Sequence, residues 1–393
     1  MKGTLIRVLA VATLALGLGS GCTGSDEPTV LVVDQPVALA DTELHISVTG
    51  VDPGERVEVS AAVEDLTGQP WRSSATFIAS PQGTVELTDQ PPVEGSYREA
   101  DPMGLFWSMQ GPGDTLYLPY PEEADGYDVV LEAKPQHGDP ARATVRRLWL
   151  APGTTHRAVD LPNEGVIGMR YEPAGQGHGG VLLLGGSEGG IGARYQAALL
   201  ASHGYTALSL AYFRAPGLPA TLTDVPIEYL AKGAGLLPAP VRVVGYSRGA
   251  EAALLLSGCY PDLIHGTVAA APPDRVYPSP GAGGNAWTYQ GRPLTAIPFE
   301  RITGPVLAIG GTDDRLWPSG AMAGHVAQLT HGQLVVGPDA GHLVGGPAYL
   351  PSASSLTVNG ETVRLGGFAA ADAKIRREGW TRILDLLEST STD

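Results

Sequence analysis

The chain has 393 residues, enough to bury one large core or two, and this length favours about two domains. Its hydrophobic content of 43% excludes a disordered chain, and 53 glycines with 33 prolines indicate many turns without a collagen-like repeat. The net charge of −16 argues against binding to nucleic acid or to anionic membrane surfaces, and two cysteines exclude a disulfide framework and a cysteine-based zinc site.

The first 25 residues have the pattern of a targeting segment. Lys2 and Arg7 give a positively charged start, residues 8–18 form an apolar stretch too short to span a bilayer comfortably, and the small residues 19–21 follow it. This order is typical of a signal peptide. The sequence therefore predicts an exported protein.

Cys22 follows the small residues directly and resembles the lipid-modified cysteine of a bacterial lipoprotein. The pattern departs at one place, because Gly19 stands where such proteins usually have Leu, and Leu18 lies one residue further back. Lipidation of Cys22 predicts a membrane-anchored protein with residues 23–29 as a polar tether, whereas ordinary cleavage predicts a soluble secreted one.

Residues 28–152 have the pattern of an all-β domain. Runs such as 43–48 and 56–60 alternate between polar and apolar residues and are separated by Gly, Pro and Asp. Alternation with a period of two is typical of strands with one buried face. The sequence predicts an immunoglobulin-like β-sandwich here.

Residues 153–390 have a different pattern, in which short apolar runs alternate with helical ones. The predicted strands are 181–184, 205–210, 241–244, 267–271, 306–309 and 334–336, and the predicted helices are 193–203, 226–237, 250–257 and 319–330. Uninterrupted Val, Leu and Ile runs that alternate with helices indicate a mainly parallel sheet covered on both faces. The predicted fold class is therefore α/β, preceded by a β-sandwich.

The pentapeptide GYSRG at residues 245–249 lies between the predicted strand 241–244 and a helical run. This is the setting of a nucleophile elbow, in which glycines on both sides of a serine permit a tight strand-to-helix turn. Ser247 is then a candidate nucleophile. An ordinary tight turn is the alternative, because Gly and Ser are common in loops.

A nucleophilic serine needs a base and an acid, which in this fold class follow it in the order acid, then His. His342 follows the predicted strand 334–336, and both Asp313 and Asp314 follow the strand 306–309. A Gly-x-x-Asp turn counted from Gly311 favours Asp314 as the acid, with Asp313 as the alternative. Four other histidines lack the strand-end context and have no predicted role: His156, His178, His203 and His331.

The glycine-rich residues 184–190 follow the first strand of the predicted α/β domain. A loop at this place supplies a backbone N–H to an oxyanion hole, so we expect Gly186 or Ser187 to act with the Arg248 N–H. Glycine loops before helices also bind phosphates, but residues 184–190 contain neither Gly-x-Gly-x-x-Gly nor a Gly-Lys-Ser/Thr ending. Nucleotide binding is therefore disfavoured.

Several segments together resemble the family of acyl-CoA thioesterases and bile acid-CoA:amino acid N-acyltransferases. The similarity covers almost all of the chain after the targeting segment. It rests on residues 95–97, 101–109 (DPMGLFWSM), 194–201, 211–213, 227–230, the elbow, 311–317 and 341–349. The resemblance implies a β-sandwich packed on an α/β-hydrolase domain, with Ser247, Asp314 and His342 as the catalytic triad.

The same resemblance implies a reaction. Acyltransferase members carry Cys at the nucleophile position, so Ser247 favours hydrolysis of an acyl thioester to the free acid and thiol, without metal or cofactor. Two features argue against CoA itself as the leaving group. CoA is abundant inside cells whereas this chain is predicted to be exported, and a net charge of −16 offers little help in holding a nucleotide with several phosphates. An extracellular carboxylesterase similar to dienelactone hydrolase and a non-catalytic binding lipoprotein are the alternatives. Residues 276–298, with Trp287 and Tyr289, are a candidate lid or acyl-pocket wall, or else a surface loop.

Overall fold

A computed structural model describes residues 27–112, 116–280, 283–358 and 361–389. The targeting segment and Cys22 lie outside these residues, so export and lipidation stay predictions. Within the described ranges, no helix combines the length and the apolar character needed to span a membrane.

The N-terminal part consists of two β-sheets, as the alternating sequence predicts. One sheet has the strand order β1-β3-β6 and the other β2-β9-β8-β4-β5-β7. Along β4 and β5 every second side chain is buried, so each strand turns one face to the core. The elements are β1 (Val30–Val33), β2 (Val37–Leu39), β3 (Ile46–Thr49), β4 (Arg56–Glu64), β5 (Pro70–Ile78), β6 (Val85–Glu86), β7 (Glu94–Gly95), α1 (Gly104–Trp107), β8 (Gly126–Pro135) and β9 (Ala141–Leu148).

The C-terminal part is built on an eight-stranded sheet with the order β10-β11-β13-β12-β15-β16-β19-β20. From β13 to β20 neighbouring strands are parallel, whereas β10 and β11 add an antiparallel edge. The strands are β10 (Thr155–Val159), β11 (Ile167–Glu172), β12 (Gly180–Leu184), β13 (Thr206–Ala211), β14 (Val225–Pro226), β15 (Val241–Tyr246), β16 (Ile264–Ala270), β17 (Trp287–Tyr289), β18 (Arg292–Pro293), β19 (Val306–Gly311), β20 (Gln333–Gly337), β21 (Ser355–Val358) and β22 (Glu361–Arg364).

Helices cover both faces of this sheet. They are α2 (Arg194–Ser202), α3 (Ile227–Ala234), α4 (Arg248–Cys259), α5 (Ser319–Thr330) and α6 (Ala369–Ser389), and Phe299–Arg301 form a short 3-10 helix. Alternate residues of one strand point to opposite faces, so Leu183 packs in the core with α2 and α6, whereas Leu182 packs in the core with α3, α4 and α5. The predicted α/β fold with a preceding β-sandwich is confirmed.

One of the two hydrophobic cores is shared by both parts of the chain. The apolar cluster that contains α2 and α6 also contains sandwich residues such as Tyr127 and Trp149. The rings of Trp149 and Tyr195 lie 4.5 Å apart across the junction. Because this core is continuous, the sandwich covers one helical layer of the C-terminal part.

Residues 276–298 contain two short strands in their described part. They contribute β17 and β18, which form a three-stranded sheet with β14, and Trp287 is fully buried. Ala286, Trp287 and Ile297 pack in the C-terminal core, and whether the segment bounds an acyl pocket stays a prediction.

Candidate active site

Ser247 lies in a sharp turn between β15 and α4. Its backbone has φ of 56° and ψ of −118°, an uncommon conformation for a residue with a Cβ. Two backbone hydrogen bonds hold the turn, from Ser247 N–H to the carbonyl of Ala270 at 2.8 Å and from Ala250 N–H to the carbonyl of Ser247 at 2.9 Å. The serine side chain is thereby fixed at the carboxyl end of the central strand.

The glycines on both sides of this turn are required because the surrounding backbone leaves no room for a Cβ atom. A Cβ on Gly245 would lie 2.1 Å from the carbonyl oxygen of Gly249, and a Cβ on Gly249 would lie 2.2 Å from that of Leu184. Both contacts are with backbone, which cannot move away cheaply. The pentapeptide thus has the strand-turn-helix structure that its sequence predicts.

Ser247, His342 and Asp314 form one hydrogen-bonded chain. His342 Nε2 lies 2.9 Å from Ser247 Oγ, and Nδ1 lies 2.7 Å from Asp314 Oδ2. The imidazole is 7% exposed and the carboxylate is fully buried, so water competes little for these bonds. With the ring proton on Nδ1, His342 donates to Asp314 and accepts the Ser247 proton on Nε2.

Asp314 and Asp313 point in different directions. Asp314 Oδ1 accepts the backbone N–H groups of Leu316 and Trp317 at 2.9 and 3.3 Å, which fixes the carboxylate toward the histidine. Asp313 instead accepts the N–H of Gly367 at 3.0 Å and pairs with Arg315. The structure therefore places Asp314, and not its neighbour, beside His342.

The histidine loop is supported by Asp372, a buried residue of α6. Its Oδ1 accepts the N–H of Gly341, directly before His342, at 2.8 Å, and its Oδ2 accepts the hydroxyl of Ser352 at 3.1 Å. Burial raises the pKa of this carboxyl, although these hydrogen bonds oppose the shift. Trp317 packs its ring edge-on against the imidazole, with the centroids 5.2 Å apart.

The three candidate oxyanion donors are placed differently. Arg248 is the first residue of α4, so its N–H lies at the helix N-terminus beside Ser247. Gly186 is in contact distance of Ser247, since a Cβ on it would lie 3.2 Å from the serine Cβ, but its N–H donates to Glu188 Oε1 at 2.8 Å. Ser187 is exposed in the turn that follows, and its N–H is the remaining candidate for the second donor.

A buried ion pair lies one helical turn behind the serine. Arg248 Nη1 lies 2.8 Å from Glu251 Oε2, and both residues are almost completely buried. Glu251 Oε1 accepts the N–H of Tyr277 at 3.0 Å and the indole N–H of Trp287 at 2.9 Å. Burial raises the pKa of Glu251 to about 7, which the nearby guanidinium and both donors oppose. The pair thus anchors residues 276–298 to the elbow helix.

One group of side chains in the sandwich has the spacing of metal ligands. Ligand atoms of Asp52, Glu55 and His137 lie within 4.8 Å of one another. Both carboxylate oxygens of Glu55 accept backbone N–H groups, from Asp52 and His137, so this carboxylate closes the loops that it joins. The group belongs to the β4 region and contributes nothing to the geometry around Ser247.

Comparison with known proteins places these features in a family. Residues 41–160 match the family model described as the acyl-CoA thioester hydrolase/BAAT N-terminal region, and residues 286–392 match the BAAT/acyl-CoA thioester hydrolase C-terminal model, where BAAT is bile acid-CoA:amino acid N-acyltransferase. The two matches together cover more than half of the chain. The chain belongs to this family. Asp314 and His342 lie in the second match, and Ser247 lies between the two.

Relatives of similar length support the assignment. The chain is 29% identical to acyl-coenzyme A thioesterase 6 of Mus musculus over 87% of this chain and 92% of the relative. It is 28% identical to bile acid-CoA:amino acid N-acyltransferase of Homo sapiens over 88% and 94% of the two chains. Among solved structures, dienelactone hydrolase from Anabaena variabilis aligns with 58% of this chain and 98% of its own, at 20% identity and a TM-score of 0.37.

Three residues of the site were not predicted from the sequence. Glu188 lies inside the glycine loop and is its one charged residue. Glu251 is the one charged residue between Arg248 and the end of a helix that is buried throughout, so it was visible as a charge in an apolar run. Asp372 gave no comparable signal, because only the fold brings α6 to the histidine loop.

Proposed function

We propose that this member of the acyl-CoA thioesterase/BAAT family is a serine hydrolase that cleaves an acyl thioester to the free acid and thiol. The observation that carries the proposal is the hydrogen-bonded chain from Ser247 through His342 to Asp314 at the carboxyl end of the sheet. Family membership supports an enzyme that handles acyl thioesters. The serine supports transfer of the acyl group to water, since acyltransferase members carry cysteine at this position.

The geometry suggests the following steps. Ser247 Oγ attacks the thioester carbonyl while His342 Nε2 takes its proton, and Asp314 stabilises the imidazolium that forms. The N–H groups of Arg248 and Ser187 stabilise the negative oxygen of the tetrahedral intermediate. His342 then protonates the leaving thiolate, and an acyl-enzyme remains. Water, activated by the same histidine, releases the acid.

A substrate panel tests this proposal. We expect the wild-type protein to hydrolyse short and long acyl thioesters and to bind a fluorophosphonate probe covalently at Ser247. In Ser247→Ala both activities should fall by at least about 10³-fold, because the nucleophile is lost. Labelling of the wild type at another residue, or hydrolysis that survives in Ser247→Ala, contradicts the proposal.

The same panel separates hydrolysis from transfer and thioesters from oxygen esters. With glycine added to an acyl-CoA reaction, hydrolysis predicts free acid as the product, and N-acylglycine would instead indicate an acyltransferase. Matched CoA thioesters, N-acetylcysteamine thioesters and oxygen esters of one acyl group compare the leaving groups. Faster turnover of the oxygen ester favours the carboxylesterase alternative, and turnover of none favours a binding protein.

A further inference from the structure

The glycine loop after β12 holds the carboxylate of Glu188. Oε1 of this residue accepts the N–H of Gly186 at 2.8 Å. A Cβ on Gly185 would lie 2.6 Å from the same oxygen, and one on Gly192 only 2.2 Å from it. Because three glycines leave this space open, the loop forms a recess that the carboxylate fills.

The recess is next to the candidate nucleophile. The position that a Cβ would take on Gly186 is 2.8 Å from Glu188 Oε2 and 3.2 Å from the Cβ of Ser247. The carboxylate oxygen and the serine Cβ are therefore at most about 6 Å apart, the sum of these two distances, a separation at which charges interact appreciably inside a protein. A carbonyl under attack by Ser247 would lie within the field of this carboxylate.

The charge of Glu188 is not neutralised by an ion pair. Asp314 is paired with His342, and Glu251 is paired with Arg248. Within the described parts of the chain, no basic side chain forms an ion pair with the Glu188 carboxylate.

Arg214 comes near Glu188 but contacts its backbone. Nη1 of this arginine donates to the Glu188 carbonyl oxygen at 3.2 Å. Crowding by the surrounding protein raises the pKa of Glu188, and the Gly186 N–H, His342 and Arg214 oppose that shift. The residue itself remains solvent-accessible.

We propose that Glu188 is a specificity-determining residue that selects substrates by charge. Its carboxylate disfavours acyl groups that carry an anionic group close to the reacting carbonyl, and the site takes uncharged or cationic acyl groups. The proposal rests on the hydrolase activity proposed for Ser247 and adds to it the class of acyl group. Repulsion between like charges at this distance is the physical cause, and added salt weakens it because Glu188 is solvent-accessible.

Two thioesters of N-acetylcysteamine that differ in one charge test the proposal. Butyryl and succinyl chains have the same length, but only the succinyl chain ends in a carboxylate. We expect the wild type to show a kcat/KM about 10-fold or more in favour of the butyryl thioester. Glu188→Gln keeps the size of the side chain and removes its charge, so this preference should fall at least about 5-fold, mainly through faster succinyl turnover.

Glu58→Gln is the matched control, because it removes an exposed charge from β4, far from the site, and should leave the ratio unchanged. A second variant, Gly192→Ala, should push the carboxylate out of its recess and also reduce the preference. The proposal is wrong if the wild type turns over both thioesters equally, or if Glu188→Gln lowers both rates in parallel. Butyryl turnover that depends on Ser247 in those cases preserves the hydrolase proposal; no turnover of either thioester overturns both.

Discussion

Ser247 combines a reactive position with a strained backbone. A non-glycine residue in such a conformation costs about 1–3 kcal/mol, which the surrounding structure must offset. Here the hydrogen bonds to Ala270 and from Ala250, and the close packing of Gly245 and Gly249, hold the turn. This backbone conformation directs Oγ toward His342, whose Nε2 lies 2.9 Å from it.

The two adjacent aspartates provide a matched pair of variants. Asp314→Asn should lower kcat by about 10²–10⁴-fold, because the amide cannot hold the histidine in the required tautomer or stabilise its charged form. Asp313→Asn should change kcat by no more than about 3-fold, since this carboxylate faces Gly367 and Arg315 instead. Steady-state thioester hydrolysis measures both. Equal losses in the two variants would contradict the assignment.

At the residue scale, the positions of the candidate triad residues after strands predicted that they lie close together, but not which aspartate faces the histidine. Ser247, Asp314 and His342 each follow a strand of one parallel sheet, and such strand ends meet at the same edge. The choice between Asp313 and Asp314 depended on the direction of two neighbouring side chains, which only the loop geometry fixes. The hydrogen bond from the Gly186 N–H to Glu188 could likewise not be predicted from the sequence, because it depends on the local backbone conformation of the loop.

At the scale of elements, α4 both positions Ser247 and holds the segment that contains Tyr277 and Trp287. Its N-terminus lies at the candidate site, and its first turn carries Glu251, which accepts hydrogen bonds from Tyr277 and Trp287. The candidate nucleophile Ser247, Tyr277 and Trp287 are therefore all held by the same helix. We therefore expect a change in the charge of Glu251 to affect both the elbow and this segment.

The buried Glu251 should make stability depend on pH. Its pKa is raised from 4.5 to about 7, so the folded chain binds this proton more tightly than the unfolded chain does. Its contribution is fully present below pH 4.5 and is lost as the pH rises to about 7. Across this window, we expect the free energy of unfolding of the wild type to fall by about 1–3 kcal/mol relative to that of Glu251→Gln.

Urea denaturation at several pH values measures this difference. Glu228→Gln is the control, because this half-buried carboxylate of α3 also accepts a backbone N–H of the same segment, from Gln290 at 2.6 Å. The control variant shows how much of any change comes from loss of a carboxylate that holds the same segment, rather than from the buried Glu251. Parallel pH curves for wild type and Glu251→Gln would show that the carboxyl titrates alike in the folded and unfolded chains.

Secondary-structure elements were predicted correctly where the apolar residues followed a clear helix or strand pattern. The predicted helix 319–330 coincides with α5, and the strand 241–244 is extended by two residues in β15. Helix α6 was missed, although Ile375, Trp380 and Ile383 are buried at helical spacing. The short strands β17 and β18 were also missed: β17 pairs with β14, which is distant in sequence, and β18 pairs with β17 in strands of only two and three residues.

At the scale of the whole molecule, one carboxylate joins the two parts of the chain. Asp41 of the sandwich region is buried, and its Oδ2 accepts the indole N–H of Trp380 at 2.7 Å and lies 2.6 Å from His203 Nε2. Trp380 belongs to α6 and His203 follows α2, so the contact reaches both helices of one layer. The hydrogen bond to Asp41 raises the pKa of His203, and partial burial opposes it.

The junction should therefore weaken as the pH rises. Because the pKa of His203 is raised above 6.5 in the folded chain, its contribution is fully present below pH 6.5 and is lost as the pH rises through the folded value. His203→Gln should reduce the free energy of unfolding by about 1 kcal/mol at pH 6 and by less at pH 9.

Thermal denaturation at both pH values checks this expectation. Trp380→Phe removes a hydrogen bond to the same carboxylate without removing a titratable group, so its loss should be similar at the two pH values. A His203→Gln loss that is the same at both pH values contradicts the role of the histidine charge.

The order of the strands has a consequence for the newly made chain. Ser247 follows β15, whereas Asp314 and His342 follow β19 and β20, and Asp372 lies later still, in α6. Synthesis proceeds from the N-terminus, so a growing chain contains its serine well before its base and the support for that base. The candidate nucleophile therefore lacks its proposed base until nearly the whole chain has left the ribosome, and a fragment that ends before residue 342 can carry the complete sandwich and elbow without His342.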